Sequence, residues 1–337
     1  MEDEAPFKEL IGMFSGPSDV DHDSIDDEMV ELRSEDATKR AQKSLMSDTT
    51  QNGIIQKPAL TESDIADITN LIATCNSHDG LRMRIKPVNL RKRPKGTVND
   101  FMYYEDGRLI GYLSGDSYGT KEKEITGMVH PDYRRRGIFH ALFETARETY
   151  RRAGAERLVL ICERSSASGQ AWVATTGAMH DFSEHEMVLG TYHERGKSMD
   201  GLEVRLATEA DTEPIVAILA TDSGNETDVR AWVSYLLAHP EESNFFLATL
   251  HGKALGTIRL DDRGDEMGIY GFEVRMGYRG LGYGRQIMEY VIRYSQSKFP
   301  KPIMLDVDTT NTNAIGLYRS VGFEIRTTYN YYGYALS

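Results

Sequence analysis

The fold is decided by residues 273–285, which read EVRMGYRGLGYGR. The pattern predicts a strand that ends at Val274, a glycine-rich loop, and a helix formed by RQIMEYVIRYSQSK. Backbone N–H groups of such a loop can turn toward one point, where the positive end of the helix dipole also attracts a pyrophosphate. The loop lacks the Gly-Lys-Ser/Thr ending of nucleoside-triphosphate loops. Gly280, Gly282 and Gly284 also do not form a dinucleotide-binding Gly-x-Gly-x-x-Gly with a downstream acidic ribose ligand.

The same pattern occurs once more, about 145 residues earlier in the chain. Val129 and YRRRG, which ends at Gly137, correspond to Val274 and YRGLG, which ends at Gly282. The hairpin around Gly107 likewise returns around Gly252, and the segment that begins with Thr61 and Glu62 returns at residues 208–215. A period shared by three segments predicts a duplicated domain. We therefore divide the chain into a first repeat, residues 54–198, and a second repeat, residues 201–337.

Each repeat contains the same succession of predicted elements. A strand leads into a helix with a Thr-Glu-x-Asp cap, and two strands joined by a glycine turn follow. The strand before the phosphate loop, the long helix, another strand, a final helix and closing strands complete the repeat. Because hairpins and crossover helices both occur, we expect an α/β fold in which each repeat has a mixed, mostly antiparallel sheet flanked by helices.

Charge and composition narrow the function. Residues 1–53 carry 14 Asp and Glu against 5 Lys and Arg, so this acidic segment holds −9 of the net charge of −13 and is predicted to be a disordered tail. An acidic protein repels phosphate backbones, which argues against a nucleic-acid partner. No apolar run approaches the roughly 20 residues that a membrane helix needs, and the acidic start does not resemble a signal peptide. These features predict a cytoplasmic protein without a membrane partner.

The two cysteines, Cys75 and Cys162, lie in no Cys-x-x-Cys or His-flanked cluster. Such isolated residues are predicted to be reduced, buried thiols, and the sequence predicts no metal site.

Two motifs together carry a family resemblance. The first is Arg279-x-x-Gly282-x-Gly284 after a strand. The second lies in the final helix and comprises Asn313, Ala314, Leu317, Tyr318, Gly322 and Phe323. The pair closely resembles the GNAT superfamily of acyl-CoA-dependent N-acyltransferases, and the resemblance covers both repeats. It implies acetyl-CoA as cosubstrate, no metal, and direct attack by a primary amine of a small molecule or protein.

The resemblance also implies a set of cofactor-binding residues. Main-chain groups near Val274 and Met276 would bind the pantetheine arm, the N–H of Val274 would stabilise the oxyanion, and loop amides would hold the pyrophosphate. The full set in the second repeat is Val274, Arg275, Met276, Arg279, Gly280, Leu281, Gly282, Tyr283, Gly284, Arg285 and Asn313. The matching set in the first repeat is Val129, Arg134, Arg135, Arg136 and Gly137.

Two residues of the second repeat are candidates for proton transfer. An amine with a pKa near 10 is protonated at neutral pH and must lose a proton before it attacks a thioester. Glu273, just before the loop, is the candidate base, although a carboxylate on an alternating strand is also typical of a protein surface. The resemblance places Tyr318 where it would donate a proton to the leaving thiolate.

At a fixed offset of 145 residues the first repeat departs from this pattern. Met128 stands for Glu273, Phe139 for Gly284, and Val173 for Tyr318. We therefore expect a catalytically silent first repeat that binds acyl-CoA weakly or forms a wall of the substrate site, with Glu124 as an alternative base if it is active after all.

Two other functions remain open at this point. One is an acyl-CoA-binding pseudoenzyme that acts as a sensor. The other is a small-molecule synthase that resembles the tandem-GNAT mycothiol synthases.

Two further features have more than one interpretation. The basic cluster is either a solvated loop or a rim that attracts an anionic ligand; it comprises Arg82, Arg84, Lys86, Arg91, Lys92, Arg93 and Lys95. The C-terminal NYYGYAL, residues 330–336, either lines an aromatic substrate pocket or packs in the core.

Overall fold

A computed structural model describes residues 51–93, 96–118, 121–195, 199–220 and 226–336. The acidic tail, apart from its last three residues, and Lys95 of the basic cluster lie outside the described residues. None of the helices in the described ranges is long and apolar enough to cross a bilayer.

The two repeats have the same order of elements. The first repeat contains β1 (Gly53–Lys57), α1 (Glu62–Asp79), α2 (Pro87–Arg91), β2 (Asp100–Glu105), β3 (Arg108–Tyr118), β4 (Glu122–Val129), α3 (Ile138–Arg152), β5 (Arg157–Glu163), α4 (Ala167–Val173) and β6 (Met179–Leu189). The second repeat contains β7 (Leu202–Leu206), α5 (Thr212–Leu219), α6 (Glu226–Ala238), β8 (Asn244–Leu250), β9 (Lys253–Asp262), β10 (Met267–Val274), α7 (Tyr283–Lys298), β11 (Ile303–Asp308), α8 (Thr312–Val321) and β12 (Phe323–Ala335).

Local sequence signals set these elements. The predicted helix caps are confirmed, since Thr61 and Asp64 form a reciprocal capping box at the start of α1, and Thr208 and Asp211 form another before α5. The β2–β3 and β8–β9 hairpins turn at Gly107 and Gly252, whose φ angles are 75° and 77°. Both hairpins therefore use the left-handed backbone that favours glycine.

All twelve strands form one sheet in the order β1-β2-β3-β4-β5-β12-β6-β11-β10-β9-β8-β7. The β4–β5 and β10–β11 pairs are parallel and every other pair is antiparallel. This confirms the predicted mixed, mostly antiparallel sheet, and helices flank it in each repeat.

The closing strands are exchanged between the repeats. β12 of the second repeat pairs with β5 of the first, over Tyr329–Ala335 and Arg157–Glu163. β6 of the first repeat pairs with β11 of the second, and β6 and β12 pair with each other at the centre of the sheet. The sequence pattern indicates closing strands in both repeats but not this exchange.

Each repeat buries apolar side chains on both faces of the sheet. On one face, which we call the α3/α7 face, Leu142 and Phe143 of α3 pack on the first repeat, and Ile287 and Val291 of α7 pack on the second. On the opposite, α1/α5 face, α1 covers the first repeat, and α5 and α6 cover the second. Two cores on each repeat hold the strand ends and loops that form the candidate site.

Candidate active site

In each repeat a gap opens between the two parallel strands. β4 pairs with β5 only up to Ile125 and Leu160, and β10 pairs with β11 only up to Ile269 and Leu305, although all four strands continue beyond these residues. The strands therefore separate toward the phosphate loops.

A backbone N–H group points into each gap near the end of the strand before the loop. The N–H of Arg275 donates to Leu255 of β9 at 2.9 Å, and the N–H of His130 donates to Ile110 of β3 at 2.8 Å. Because successive N–H groups of a strand point in opposite directions, those of Val274 and Val129 point into the gaps.

The two phosphate loops have the same backbone conformation. Arg135 and Gly137 have φ angles of 63° and 77°, and the corresponding Gly280 and Gly282 have 75° and 92°. Gly137 and Gly282 are the N-cap residues of α3 and α7, so the free N–H groups of each first turn face the loop. The first repeat thus keeps the loop shape although Arg135 adopts a left-handed conformation that is unusual outside glycine.

An arginine fixes each loop to the strand before it. The Nε atom of Arg134 donates to the carbonyl of Val129 at 3.0 Å, and that of Arg279 donates to Val274 at 2.7 Å. Each guanidinium also pairs with a carboxylate, Asp79 in the first repeat and Glu273 in the second. The hydrogen bond from Arg134 lowers the pKa of Asp79. Glu273 therefore has a contact within the loop in addition to its predicted role as a base.

The gap of the first repeat is an open cavity of about 730 Å³. Its walls are formed by β4, β5 and α4, and Arg134, Arg135 and the first turn of α3 lie at the phosphate-loop end. Tyr329, from the exchanged strand β12, and both buried cysteines also line it. The burial of Cys75 and Cys162 confirms the prediction made for the two thiols.

Phe139, which stands where the second repeat has Gly284, is one of the residues that line this cavity. Its ring turns toward β4, where it would contact a Cβ built on Gly127, and packs edge-on against Trp172 with ring centroids 4.6 Å apart. In the second repeat the arrangement is reversed, because Phe272 of β10 extends toward Gly284 of α7. One aromatic ring therefore fills this space in both repeats, from the helix in one and from the strand in the other.

A β-bulge distinguishes the two strands that carry the phosphate loops. Between Tyr270 and Glu273 β10 contains one residue more than its partner β9, and Gly271 has a φ of 53°. β4 pairs with β3 without a shift over its entire length. A bulge re-aims the residues that follow it, so Glu273 and Val274 are displaced relative to their counterparts Met128 and Val129.

Tyr318 lies in α8, is 8% exposed, and packs near Phe272 at a ring-centroid distance of 6.5 Å. Phe272 lies in the bulge and directly precedes Glu273. The structure therefore places Tyr318 beside the bulged part of β10. Its counterpart Val173 is 4% exposed and lines the first cavity. Glu124, the alternative base of the first repeat, is half-buried on β4.

The remaining predicted cofactor residues are of two kinds. Most are exposed around the second loop or at the start of α8; they are Arg275, Met276, Arg279, Gly280, Leu281, Gly282 and Asn313. The Arg285 side chain instead points inward, where it pairs with Glu289 at 2.7 Å and donates to the backbone carbonyl of Ser320 at 2.9 Å. Only its main chain can serve a phosphate. In the first repeat, Arg136 pairs with Glu105 at the surface.

Where β6, β11 and β12 meet on the α1/α5 face, charged residues form what we call the seam cluster. Its members are Arg82, Arg84, Glu184, Glu186, Glu266, Asp306 and Arg326. Arg82 bridges Glu186 and Glu266 at 3.0 and 2.8 Å, and Arg84 bridges Glu184 and Asp306 at 2.8 and 2.7 Å. The segment after α1 thereby connects the first repeat to the second.

The seam cluster corrects both interpretations for three members of the basic cluster. Arg82, Arg84 and Lys86 are neither solvated nor a rim for anions, because they form ion pairs with Glu266 and Asp306 of the second repeat. Arg93 is likewise paired, with Asp100, and Arg91 pairs with Glu62 at the surface. In the sequence, Arg82 and Arg84 stand two residues apart, as do Glu184 and Glu186, which is the spacing of side chains on one face of a strand. Nothing in this spacing indicated that the arginines would contact the glutamates.

Two carboxyl groups of the seam cluster are perturbed in opposite directions. Burial, together with the charges of Glu184 and Glu186, raises the pKa of Asp306 to about 6 against the attraction of Arg84 and Arg263. Burial also acts on Glu266, but the hydrogen bond from Arg326 and the charges of Lys86, Arg326 and Arg82 outweigh it and lower its pKa to about 2.

The sequence matches the acetyltransferase (GNAT) family over residues 66–172 and again over residues 211–323. The chain belongs to the GNAT family. This confirms the resemblance, and the chain is an acetyltransferase with two GNAT repeats, of a family that uses acetyl-CoA as cosubstrate.

Individual relatives of this GNAT protein are distant in sequence but similar in length. It is 25% identical to the mycothiol acetyltransferase of Thermomonospora curvata, over 81% of this chain and 94% of the relative. Identity to the enzyme of the same name from Mycolicibacterium vanbaalenii is also 25%, over 83% and 97%.

Solved structures show the same fold. A GCN5-related N-acetyltransferase from Sphaerobacter thermophilus superposes with a TM-score of 0.71 at 19% identity, over 86% of this chain and 97% of that one. A tandem GNAT protein from the clavulanic acid biosynthesis pathway gives 0.66 at 18% identity, over 84% and 98%.

Proposed function

We propose that this GNAT acetyltransferase transfers the acetyl group of acetyl-CoA to a primary amine and that the reaction occurs in the second repeat. The observation that carries the assignment is the bulge in β10. Glu273 follows this bulge on the same strand, and Tyr318 of α8 packs near it. In the first repeat, β4 has no bulge, and Met128 and Val173 stand in place of Glu273 and Tyr318.

The geometry supports a direct transfer. Acetyl-CoA would place its pyrophosphate on the N–H groups of the loop and of the first turn of α7, with the pantetheine arm between β10 and β11. The N–H of Val274 would then donate to the thioester oxygen as negative charge develops there. The amine, after losing a proton to Glu273, attacks the carbonyl carbon. The C–N bond forms, the C–S bond breaks, and the Tyr318 hydroxyl gives its proton to the departing thiolate. The nitrogen loses its second proton as the amide forms, and an equivalent proton restores the Tyr318 hydroxyl.

The first repeat would act as a second acyl-CoA site without catalysis. Its loop has the backbone of the second loop, and its gap is an open cavity. It offers Met128 and Val173 where the mechanism requires a base and an acid, so a bound thioester would persist there.

The likeness to mycothiol acetyltransferases favours a small-molecule acceptor over a protein. Those relatives are matched over 94% and 97% of their length. A small-molecule synthase of that kind is therefore the second candidate function.

Calorimetric titration with acetyl-CoA, together with CoA release in the presence of primary amines, tests the proposal. We expect two sites in the wild type. Gly282→Glu should remove one site and all turnover, whereas the matched variant Gly137→Glu should remove the other site and leave turnover. Turnover lost only with Gly137→Glu would place catalysis in the first repeat. Binding without amine-dependent CoA release in any variant would indicate a sensor.

A further inference from the structure

We infer that Asp306 is the binding residue for the ammonium group of the acceptor, so that the acceptor is an amine that enters the site as a cation on the α1/α5 face. This inference rests on the proposed function, because it assigns the acceptor side of the same site.

The strand register places Asp306 at the vertex of the second gap. The β10–β11 pairing ends at Ile269 and Leu305, and Asp306 is the next residue of β11. Leu305 and Val307 pack in the core with α7, so alternation directs Asp306 to the opposite face. A thioester in the gap and an amine approaching from the α1/α5 face would meet beside this residue.

One oxygen of Asp306 is held and the other is not. Arg84 donates to Oδ2 at 2.7 Å, and the side chain is only 6% exposed. Oδ1 is buried and has no hydrogen-bond partner among the described residues. A buried carboxylate oxygen without a donor is costly, and an ammonium group is a strong donor of matching charge.

The arginine that holds Asp306 is shared with another carboxylate. Arg84 also pairs with Glu184 at 2.8 Å. Glu184 and Glu186 repel Asp306 and Arg263 attracts it, while Glu186 is itself paired with Arg82 and Arg326. The hydroxyl groups of Tyr270, Tyr329 and Tyr331 also interact with Asp306 and carry no positive charge. The raised pKa of Asp306 agrees with a carboxylate that its arginines do not fully stabilise.

The first repeat supports the assignment by contrast. At the offset of 145 residues Asp306 corresponds to Ile161, on the same face of β5. Glu273, Asp306 and Tyr318 thus all have apolar counterparts, which are Met128, Ile161 and Val173. If Asp306 only joined the repeats, it would not need to be polar in the same repeat as the two candidate catalytic residues and apolar in the other.

The experiment compares Asp306→Asn with Glu266→Gln, a matched control that removes a seam-cluster carboxylate whose two oxygens are both occupied by basic side chains. CoA release is measured with ethylamine, putrescine and glucosamine, which are cations at neutral pH, and with 2,2,2-trifluoroethylamine, which is largely neutral. Asp306→Asn should raise the KM of the cationic amines about ten- to hundredfold, as expected for a hydrogen bond to a charged group. The KM of trifluoroethylamine and the affinity for acetyl-CoA should change less than about threefold.

Each other outcome overturns the inference in a recognisable way. Equal losses for charged and neutral amines, or equal losses in Glu266→Gln, would give Asp306 a structural role only. An unchanged KM for all amines would remove it from the site while leaving acetyl transfer intact. If the wild type releases no CoA with any of these amines, the proposed function fails, and this inference fails with it.

Discussion

The two repeats share one phosphate-loop backbone but differ in the strand that delivers it. Arg135 and Gly137 adopt the left-handed angles of Gly280 and Gly282, so the loop shape survives a change of sequence. The bulge of β10 and the polar residues around it have no counterpart in β4. The loop backbone and the strand before it can therefore vary independently, and the two repeats of one chain differ only in the second of these.

Deletion of Gly271 should have the largest effect, because it would give β10 the straight register of β4 without disturbing the pairs on either side. The Val274 N–H would no longer point at the thioester oxygen. The kcat should therefore fall about 10²- to 10³-fold, which is the usual effect of losing an oxyanion donor. Steady-state CoA release measures this, and Gly271→Ala, which keeps the residue count, serves as control. If the deletion variant folds and retains full activity, the bulge does not distinguish the repeats.

Tyr318→Phe should lower kcat about 100-fold, since a general acid contributes in this range and a thiolate is a tolerable leaving group. Tyr332→Phe removes a hydroxyl that is bonded to Gln170 in the first repeat and should leave kcat unchanged. An unaltered turnover of Tyr318→Phe would remove Tyr318 from the mechanism.

The dependence on pH should reflect Asp306. Because its pKa is raised to about 6, the carboxylate is charged above that pH and neutral below it. The kcat/KM for a cationic amine should therefore fall about tenfold per pH unit below 6. The decline should be absent in Asp306→Asn, and a decline that persists there would assign the titration to another group.

The smallest expected effect concerns the reciprocal aromatic packing. A Cβ on Gly127 would lie 2.6 Å from the carbonyl oxygen of Tyr112 and 2.7 Å from the Phe139 ring, so Gly127→Ala should lower the free energy of unfolding by about 1–3 kcal/mol. The same change at Gly284, where the nearest atoms are 3.5 Å away, should be neutral or stabilise the protein by about 0.5–1 kcal/mol. Urea denaturation followed by circular dichroism measures both. Equal effects would contradict the packing described for the two repeats.

The sequence predicted the repeat, its helix caps, hairpins and phosphate loops because these depend on neighbouring residues. Thr61 with Asp64, and Gly252 in its hairpin, need only a few positions to specify their conformation. The seam cluster was not predictable in this way, since Arg84 and Asp306 are 222 residues apart and meet only after the strands have been exchanged. The bulge was missed for a different reason: a single additional residue in β10 becomes visible only when β9 is aligned with it.

The exchange of β6 and β12 also bears on how such a chain can arise. A single repeat that gave its last strand to another copy would form a symmetric dimer with two identical sites, in which every substitution appears twice. Once the two copies are joined covalently, each half can change alone while the shared sheet still holds both. The covalent link thus permits the two halves to differ around a shared loop shape, as β4 and β10 do in this molecule.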